Sequence, residues 1–307
     1  MTKEKDFKKA FIKNMKKNKG NKKAQLLTVL VFGVIAVFSL YFGNDITNNI
    51  GTPNGILQIS YLDVGQGDSA YIKVNDFDIL IDAGPRSDSD KLMEQLKEKN
   101  IDDFEIVIAT HPHEDHIGGM TKVFEEYDVE SFYMPKATST TKTFENMINA
   151  VKNEGLKVQV IKEGTSFDLG EGAKIEVYSP IQDSYDNLNN YSPIMKLIYG
   201  NNTFIFTGDA EKEVEKEVLE KYSNNLNADV IKFGHHGSST SSSEEFIEAI
   251  SPKYGIISCG VDNSYGHPHR ETLDVINKMD IKTYRTDKQG EITIISDGNE
   301  IEIKTEK

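Results

Sequence analysis

The string Thr110-His111-Pro112-His113-Glu114-Asp115-His116-Ile117-Gly118-Gly119 sets three imidazoles and an aspartate so close together that one loop must carry them all. The apolar run at 105–109 precedes it, and a helix-like pattern opens at Ile117. The fold must therefore deliver this cluster at a strand-to-helix junction, a usual place for chemistry carried on a scaffold. Imidazole is the commonest transition-metal ligand, and Asp115 adds a hard oxygen beside it. His111, His113, Asp115 and His116 cannot all reach one tetrahedral ion without strain. They can divide into two pairs, each serving one of two adjacent ions. Two divalent ions about 3.5–4 Å apart polarise a phosphoryl or carbonyl group and supply hydroxide at neutral pH.

All seven histidines of the 307-residue chain fall in this string and two later clusters. Gly234-His235-His236-Gly237-Ser238 ends the strand-like run at 229–233, and Tyr265-Gly266-His267-Pro268-His269 lies further on. Between them and the first cluster, Thr207-Gly208-Asp209-Ala210 ends the apolar run at 203–206. An aspartate placed there can bridge two metals through its two oxygens. The single cysteine, Cys259, excludes an internal disulfide and a cysteine-rich zinc knuckle, and reads as a small core residue.

Charge separates a tail from a body. Residues 1–23 hold ten lysines against Glu4 and Asp6, an excess of eight; the total of −14 leaves −22 for the remainder. From Ala24 to Asn44 no residue is charged, and at 1.5 Å per residue this run spans roughly 31 Å as a helix, about a bilayer's hydrocarbon thickness. Every face is apolar, the flank is polybasic, and no small-x-small cleavage site follows. Residues 24–43 are therefore expected to form an uncleaved transmembrane anchor, with 1–23 as a cytoplasmic tail, 44–55 as a linker, and 56–307 as a domain outside the cytoplasmic membrane.

Strand-like runs occupy 56–64, 70–74, 77–81, 105–109, 131–134, 157–161, 174–178, 194–199, 203–206, 229–233, 254–258, 282–285, 291–295 and 300–304. Helical patterns occupy 91–99, 117–127, 211–222, 244–250 and 271–279. Early strands join by tight turns and later ones alternate with helices, which fits an α+β fold of two packed sheets with helices outside. Ser242 and Glu245 have the spacing of a capping box.

The His-x-His-x-Asp-His string, the later Thr-Gly-Asp and the His-His-Gly-Ser resemble the metallo-β-lactamase fold superfamily. More narrowly, Tyr61-Leu62-Asp63-Val64-Gly65-Gln66-Gly67-Asp68-Ser69 and Ile79-Leu80-Ile81-Asp82-Ala83-Gly84 resemble the C-terminal hydrolase domain of ComEC-type DNA-internalisation proteins. The motifs occur in order over nearly the whole body. The resemblance implies an αββα sandwich with its site along one edge between the sheets. It implies that His111 and His113 hold a first metal, that Asp115 and His116 hold a second, and that Asp209 bridges them. One of His235 and His236 completes the second site; neighbours in an extended chain point opposite ways, which favours His236 alone. His235 then faces the substrate or a side chain that supports the ligands, and Asp82 orients the metal loop from below. Many members carry another histidine before the bridging aspartate, where this chain reads Asn189-Asn190-Tyr191-Ser192-Pro193, as in the ComEC-type subset. That departure argues against lactam hydrolysis. With no thiolate offered, the two ions are expected to be Zn2+ or Mn2+.

The turn Gln66-Gly67-Asp68 either closes two strands, with Gly65 and Gly67 at positive φ, or lines the cleft. Ser238, His267 and His269 are candidates for phosphate contact. Together these features describe a membrane-anchored hydrolase, with Asp115 and His235 as catalytic residues, that cleaves phosphodiesters. The resemblance suggests DNA, while a charge of −22 on the body disfavours broad nucleic-acid binding and suits a cell-wall polymer such as a phosphocholine-bearing teichoic acid. A metal-binding module without activity is the rival from another class.

Overall fold

The computed structural model describes residues 55–307. The basic tail, the apolar span 24–43 and the linker up to residue 54 lie outside the described residues; among those described, no helix is long and apolar enough to cross a membrane.

The strands in chain order are β1 (Leu57–Tyr61), β2 (Ala70–Val74), β3 (Phe77–Ile81), β4 (Asp103–Phe104), β5 (Ile106–Ile108), β6 (Asp128–Val129), β7 (Phe132–Met134), β8 (Val158–Val160), β9 (Ser166–Asp168), β10 (Ala173–Val177), β11 (Met195–Tyr199), β12 (Asn202–Phe206), β13 (Val230–Lys232), β14 (Tyr254–Ile257), β15 (Lys282–Arg285), β16 (Ile292–Ser296) and β17 (Ile301–Thr305). One sheet runs β17-β16-β1-β2-β3-β5-β7-β8 and the other β15-β14-β13-β12-β11-β10-β9, with β4 and β6 forming a short separate ladder.

Side-chain alternation explains why the sheets stack. Ile79 and Ile81 of β3 and Ile106 and Ile108 of β5 enter the core between the sheets, while Leu80 and Val107 face the helices outside. In the second sheet Phe204, Phe206, Val230 and Ile256 face inward, while Ile205, Ile231 and Ile257 face outward. Strands buried on both faces read as continuous apolar runs. Fully burying each such Ile, Val or Phe contributes roughly 1.5–3 kcal/mol. Helices Ser89–Lys97, Met120–Glu126 and Lys142–Asn153 supply Leu92, Leu96, Met120, Val123, Met147 and Val151 to the outer core of the first sheet. Helices Lys212–Tyr222, Glu244–Ile250 and Arg270–Lys278 supply Val214, Val218, Phe246, Ile250 and Ile276 to that of the second. The order is helix, sheet, sheet, helix. Cys259 is buried beside β14.

Several local expectations change. The helix expected at 117–127 is two helices, Glu114–Ile117 and Met120–Glu126, interrupted at Gly118-Gly119. A Cβ on Gly119 would lie 2.3 Å from the Ala83 carbonyl, so the glycine lets the chain after β3 pass against the metal loop. The helix Lys142–Asn153 was not anticipated, although Phe144, Met147 and Val151 carry helical spacing; Thr141 Oγ1 caps it by accepting from Phe144 N at 3.3 Å. Ser242 and Glu245 form no capping box. Ser243 stands at the N-cap without a side-chain bond, and the buried carboxylate of Glu215 accepts from the backbone N–H groups of Ser242 and Ser243. Glu215→Ala strands both donors in the interior. Urea unfolding of the metal-free protein should show a loss of about 2–3 kcal/mol; an unchanged midpoint would mean that water replaces the carboxylate.

Candidate metal centre

In the first sheet β3, β5, β7 and β8 run parallel, and in the second β12, β13, β14 and β15 do. Ligand-type residues follow the C-terminal ends of these strands: Asp82 after β3, the histidine string after β5, Asp209 after β12, His235 and His236 after β13. Strand ends of this kind are where α/β sheets place their ligands. Both sheets thus contribute to one edge.

Asp82 fixes the histidine string. Its Oδ1 accepts from Thr110 N at 2.8 Å, and its Oδ2 accepts from Thr110 Oγ1 at 2.7 Å and lies 2.7 Å from His116 Nδ1. The bond at Nδ1 turns His116 Nε2 toward Asp209 Oδ2, 3.2 Å away. From the other sheet, His236 Nδ1 is 3.0 Å from the Ser258 carbonyl, and its Nε2 stands 3.2 Å from Asp115 Oδ2 and 3.7 Å from Asp209 Oδ2. Imidazoles held at one nitrogen with the other aimed at carboxylates are a usual metal-ligand arrangement. His111 Nδ1 lies 3.1 Å from Thr110 Oγ1 and 3.3 Å from Ser192 Oγ, while its Nε2 lies 2.9 Å from His113 Nδ1 and 3.8 Å from Asp209 Oδ2.

The donor set fits a divalent cation. Asp115, His116, Asp209 and His236 each offer a ligand atom, all within 4.8 Å of one another. His116 Nε2 and Asp209 Oδ1 are buried with no hydrogen-bond partner, a cost that a metal would remove. His111 and His113 turn two nitrogens toward one point beside Asp209, but form no set of three donors that close. In the segment where many members carry a further histidine, Ser192 Oγ accepts from Asp209 N at 3.1 Å and braces Asp209.

His235 and His236 are not in extended chain: their φ values are +50° and +54°. The left-handed turn still separates them. His236 is buried among the carboxylates, whereas His235 is partly exposed, with Nδ1 3.0 Å from Thr240 Oγ1 and Nε2 3.6 Å from Asp209 Oδ2. An open cleft leads to the centre, lined by Gln66, His113, Glu114, Asp115, Asn189, Asp209, His235, His236, Tyr265 and His267 among others. Gln66 and His267 therefore sit where a substrate would. Asp68, Ser238 and His269 do not. Asp68 is buried behind His236 against Lys232. Ser238 is buried, its Oγ accepting from Thr240 N. His269 accepts from Ser239 N at Nδ1, and its Nε2 faces the Tyr265 carbonyl at 3.1 Å, which leaves no ring nitrogen for a phosphate. Of Gly65 and Gly67, only Gly65 has positive φ; a Cβ on Gly67 would lie 2.3 Å from the Asp115 carbonyl. The roles of Lys232, Thr110 and Ser192 were missed because a single Lys, Thr or Ser does not reveal in sequence which remote side chain it bonds.

Electrostatics follow from these contacts. Burial, reinforced by His116, holds His111 well below the ordinary imidazole range, so its lone pairs are free for a metal. Burial also opposes charge on His116, but Asp209 and Asp82 outweigh it and push its pKa well up. The same contest, won by Asp209 and Asp68, raises His236 to about 10. Burial disfavours the Asp209 carboxylate, yet His116 and His236 hold its pKa well below the usual range. The metal-free centre thus holds protons on His116 and His236 at neutral pH, and a cation must displace them. Titration calorimetry at pH 7 in buffers of different ionisation enthalpy should show about two protons released on loading, with affinity falling as pH falls. Buffer-independent heats would contradict this.

The profile of the metallo-beta-lactamase superfamily matches residues 62–261. The chain is 33% identical over 253 residues to ComE operon protein 3 of Bacillus subtilis (strain 168), covering 76% of this chain and 32% of that protein. It is 34% identical over 120 residues to Competence protein ComA of Neisseria gonorrhoeae, covering 39% of this chain and 17% of that protein. It thus spans about a third or less of these relatives' length. Among solved structures, the metallo-beta-lactamase fold protein YhfI from Bacillus subtilis superposes with a TM-score of 0.51 at 12% identity, over 81% of this chain and 100% of that one. The chain belongs to the metallo-beta-lactamase superfamily and, within it, is a ComEC-like protein.

Proposed function

We propose that the chain is a membrane-anchored, dinuclear metal-dependent phosphodiesterase whose domain lies outside the cytoplasmic membrane. The observation that carries this reading is the convergence of His116 Nε2, His236 Nε2, Asp115 and Asp209 from two sheets at the head of an open cleft. Asp115, His116 and His236 would hold one ion, His111 and His113 would hold the other, and Asp209 would offer its carboxylate to both. Bound Zn2+ or Mn2+ supplies Lewis acidity toward phosphoryl oxygens and activates water. Asp115, part-exposed at the cleft, orients the incoming water. His235 faces the cleft, held by Thr240 Oγ1 at 3.0 Å, and is placed to give a proton to the departing oxygen. The likeness to competence proteins supports DNA as substrate. A second reading, a cell-wall phosphodiester, is favoured by the cleft lining, which includes neither Lys nor Arg, as a long polyanion would need. The uncharged run 24–43 behind a lysine-rich tail supports the anchor and its orientation.

Hydrolysis of bis(p-nitrophenyl) phosphate by the metal-loaded protein is the first test. Asp115→Ala should lower kcat/KM by at least about 100-fold. A wild type that holds no metal and cleaves nothing would leave only a binding module. Single-stranded DNA assayed against a choline-phosphate polymer separates the two substrates. Protease added to intact cells should digest the domain; protection would overturn the orientation.

A further inference from the structure

Lys232 is the last residue of β13 and alternates with Ile231, so it shares with Val230 the face turned toward the other sheet. A lysine there is costly unless paired. Its Nζ donates to Asp68 Oδ2 at 2.6 Å and to the Phe233 carbonyl at 3.1 Å, and both side chains are buried. Asp68 belongs to the loop between β1 and β2, in the first sheet. The ion pair therefore ties the two sheets at the edge that carries the metal centre.

Asp68 also touches both halves of that centre. Its backbone N–H donates to the Asp115 carbonyl at 3.1 Å, and its own carbonyl accepts from Gly84 N at 2.8 Å, two residues beyond Asp82. Its Oδ1 stands 3.2 Å from His236 Nδ1, beside the bond to the Ser258 carbonyl. One residue thus meets the Asp115 loop through its backbone and His236 through its carboxylate, and Lys232 sets the direction of that carboxylate. We propose that Asp68, held by Lys232, is the positioning residue that fixes the spacing between Asp115 and His236, and so the metal site that spans the two sheets. The proposal rests on the metal-centre reading above and assigns no contact with substrate.

The test uses the full chain, stripped of metal and titrated with Co2+. Asp68→Asn and Lys232→Met should each weaken Co2+ binding about 10–100-fold and alter the visible Co2+ spectrum, while Lys232→Arg restores most of both. Wild-type affinity and spectrum in Asp68→Asn and Lys232→Met, even with a lowered melting temperature, would reduce the pair to core packing and overturn the proposal. If Lys232→Met does not fold, the isosteric Asp68→Asn carries the test alone. A wild type that binds no Co2+ defeats the metal-centre reading, and the proposal with it. A wild type that binds normally beside unaffected variants defeats the proposal only.

Discussion

His116 stands between two buried carboxylates, with Nδ1 2.7 Å from Asp82 and Nε2 3.2 Å from Asp209. Asp82 comes from the first sheet and Asp209 from the second, so this one ring joins them at the site edge. It also explains the short loop around it. Asp82 holds Thr110 through both backbone and hydroxyl, and Thr110 Oγ1 lies 3.1 Å from His111 Nδ1. One carboxylate therefore orients two imidazoles of the string. Carboxylates this buried, one of them, Asp209, with an unpartnered oxygen, are tolerated only where positive charge compensates them. Protonated His116 and His236 do so in the metal-free chain, and divalent ions can take over that role.

Position follows from topology. A parallel strand ends at the same edge as its neighbour, so strands that carry ligand-type residues at their C-terminal ends bring them together there although the strands are far apart in sequence. β5, β12 and β13 do this with the histidine string, Asp209 and His236. What topology does not specify is how the ligand-type residues of the two sheets are spaced across the edge. Polar ties at the edge set it, and Asp68 with Lys232 is such a tie.

Much of this was legible in the sequence, for reasons that differ by residue. The histidine string could be read because its ligands are neighbours in the chain. The sheets could be read because strands buried on both faces carry consecutive apolar residues, Ile79-Leu80-Ile81 in β3, Ile106-Val107-Ile108 in β5, Phe204-Ile205-Phe206 in β12 and Val230-Ile231 in β13. Partners remote in sequence were not legible. Lys232 and Asp68 are 164 residues apart: Asp68 reads only as part of a turn or a cleft lining, and Lys232 belongs to no motif. Glu215 caps a helix 28 residues away and looks like one more acid in an acid-rich helix. Ser238 and His269 carry the chemistry of phosphate contacts, but their hydrogen-bonding atoms are spent on Thr240, Ser239 and Tyr265, which only the folded loops reveal.

The same distinction bears on substrate. The body carries −22 and its cleft is lined by neither Lys nor Arg, which under the proposed reading disfavours a long polyanion there. Favourable charge for a phosphate is then confined to the metal centre, and affinity would come from one phosphodiester and whatever flanks it. The flanks are Gln66, His267 and Tyr265, whose ring lies nearly parallel to that of His267 at 5.5 Å, inclined by 18°. Burial and the neighbouring His236 hold His267 down to about 4, so it presents a neutral ring at neutral pH. If the centre cleaves phosphodiesters as proposed, recognition in this cleft would therefore be local: it suits a chain end or a single linkage better than the middle of a duplex, whichever polymer supplies it.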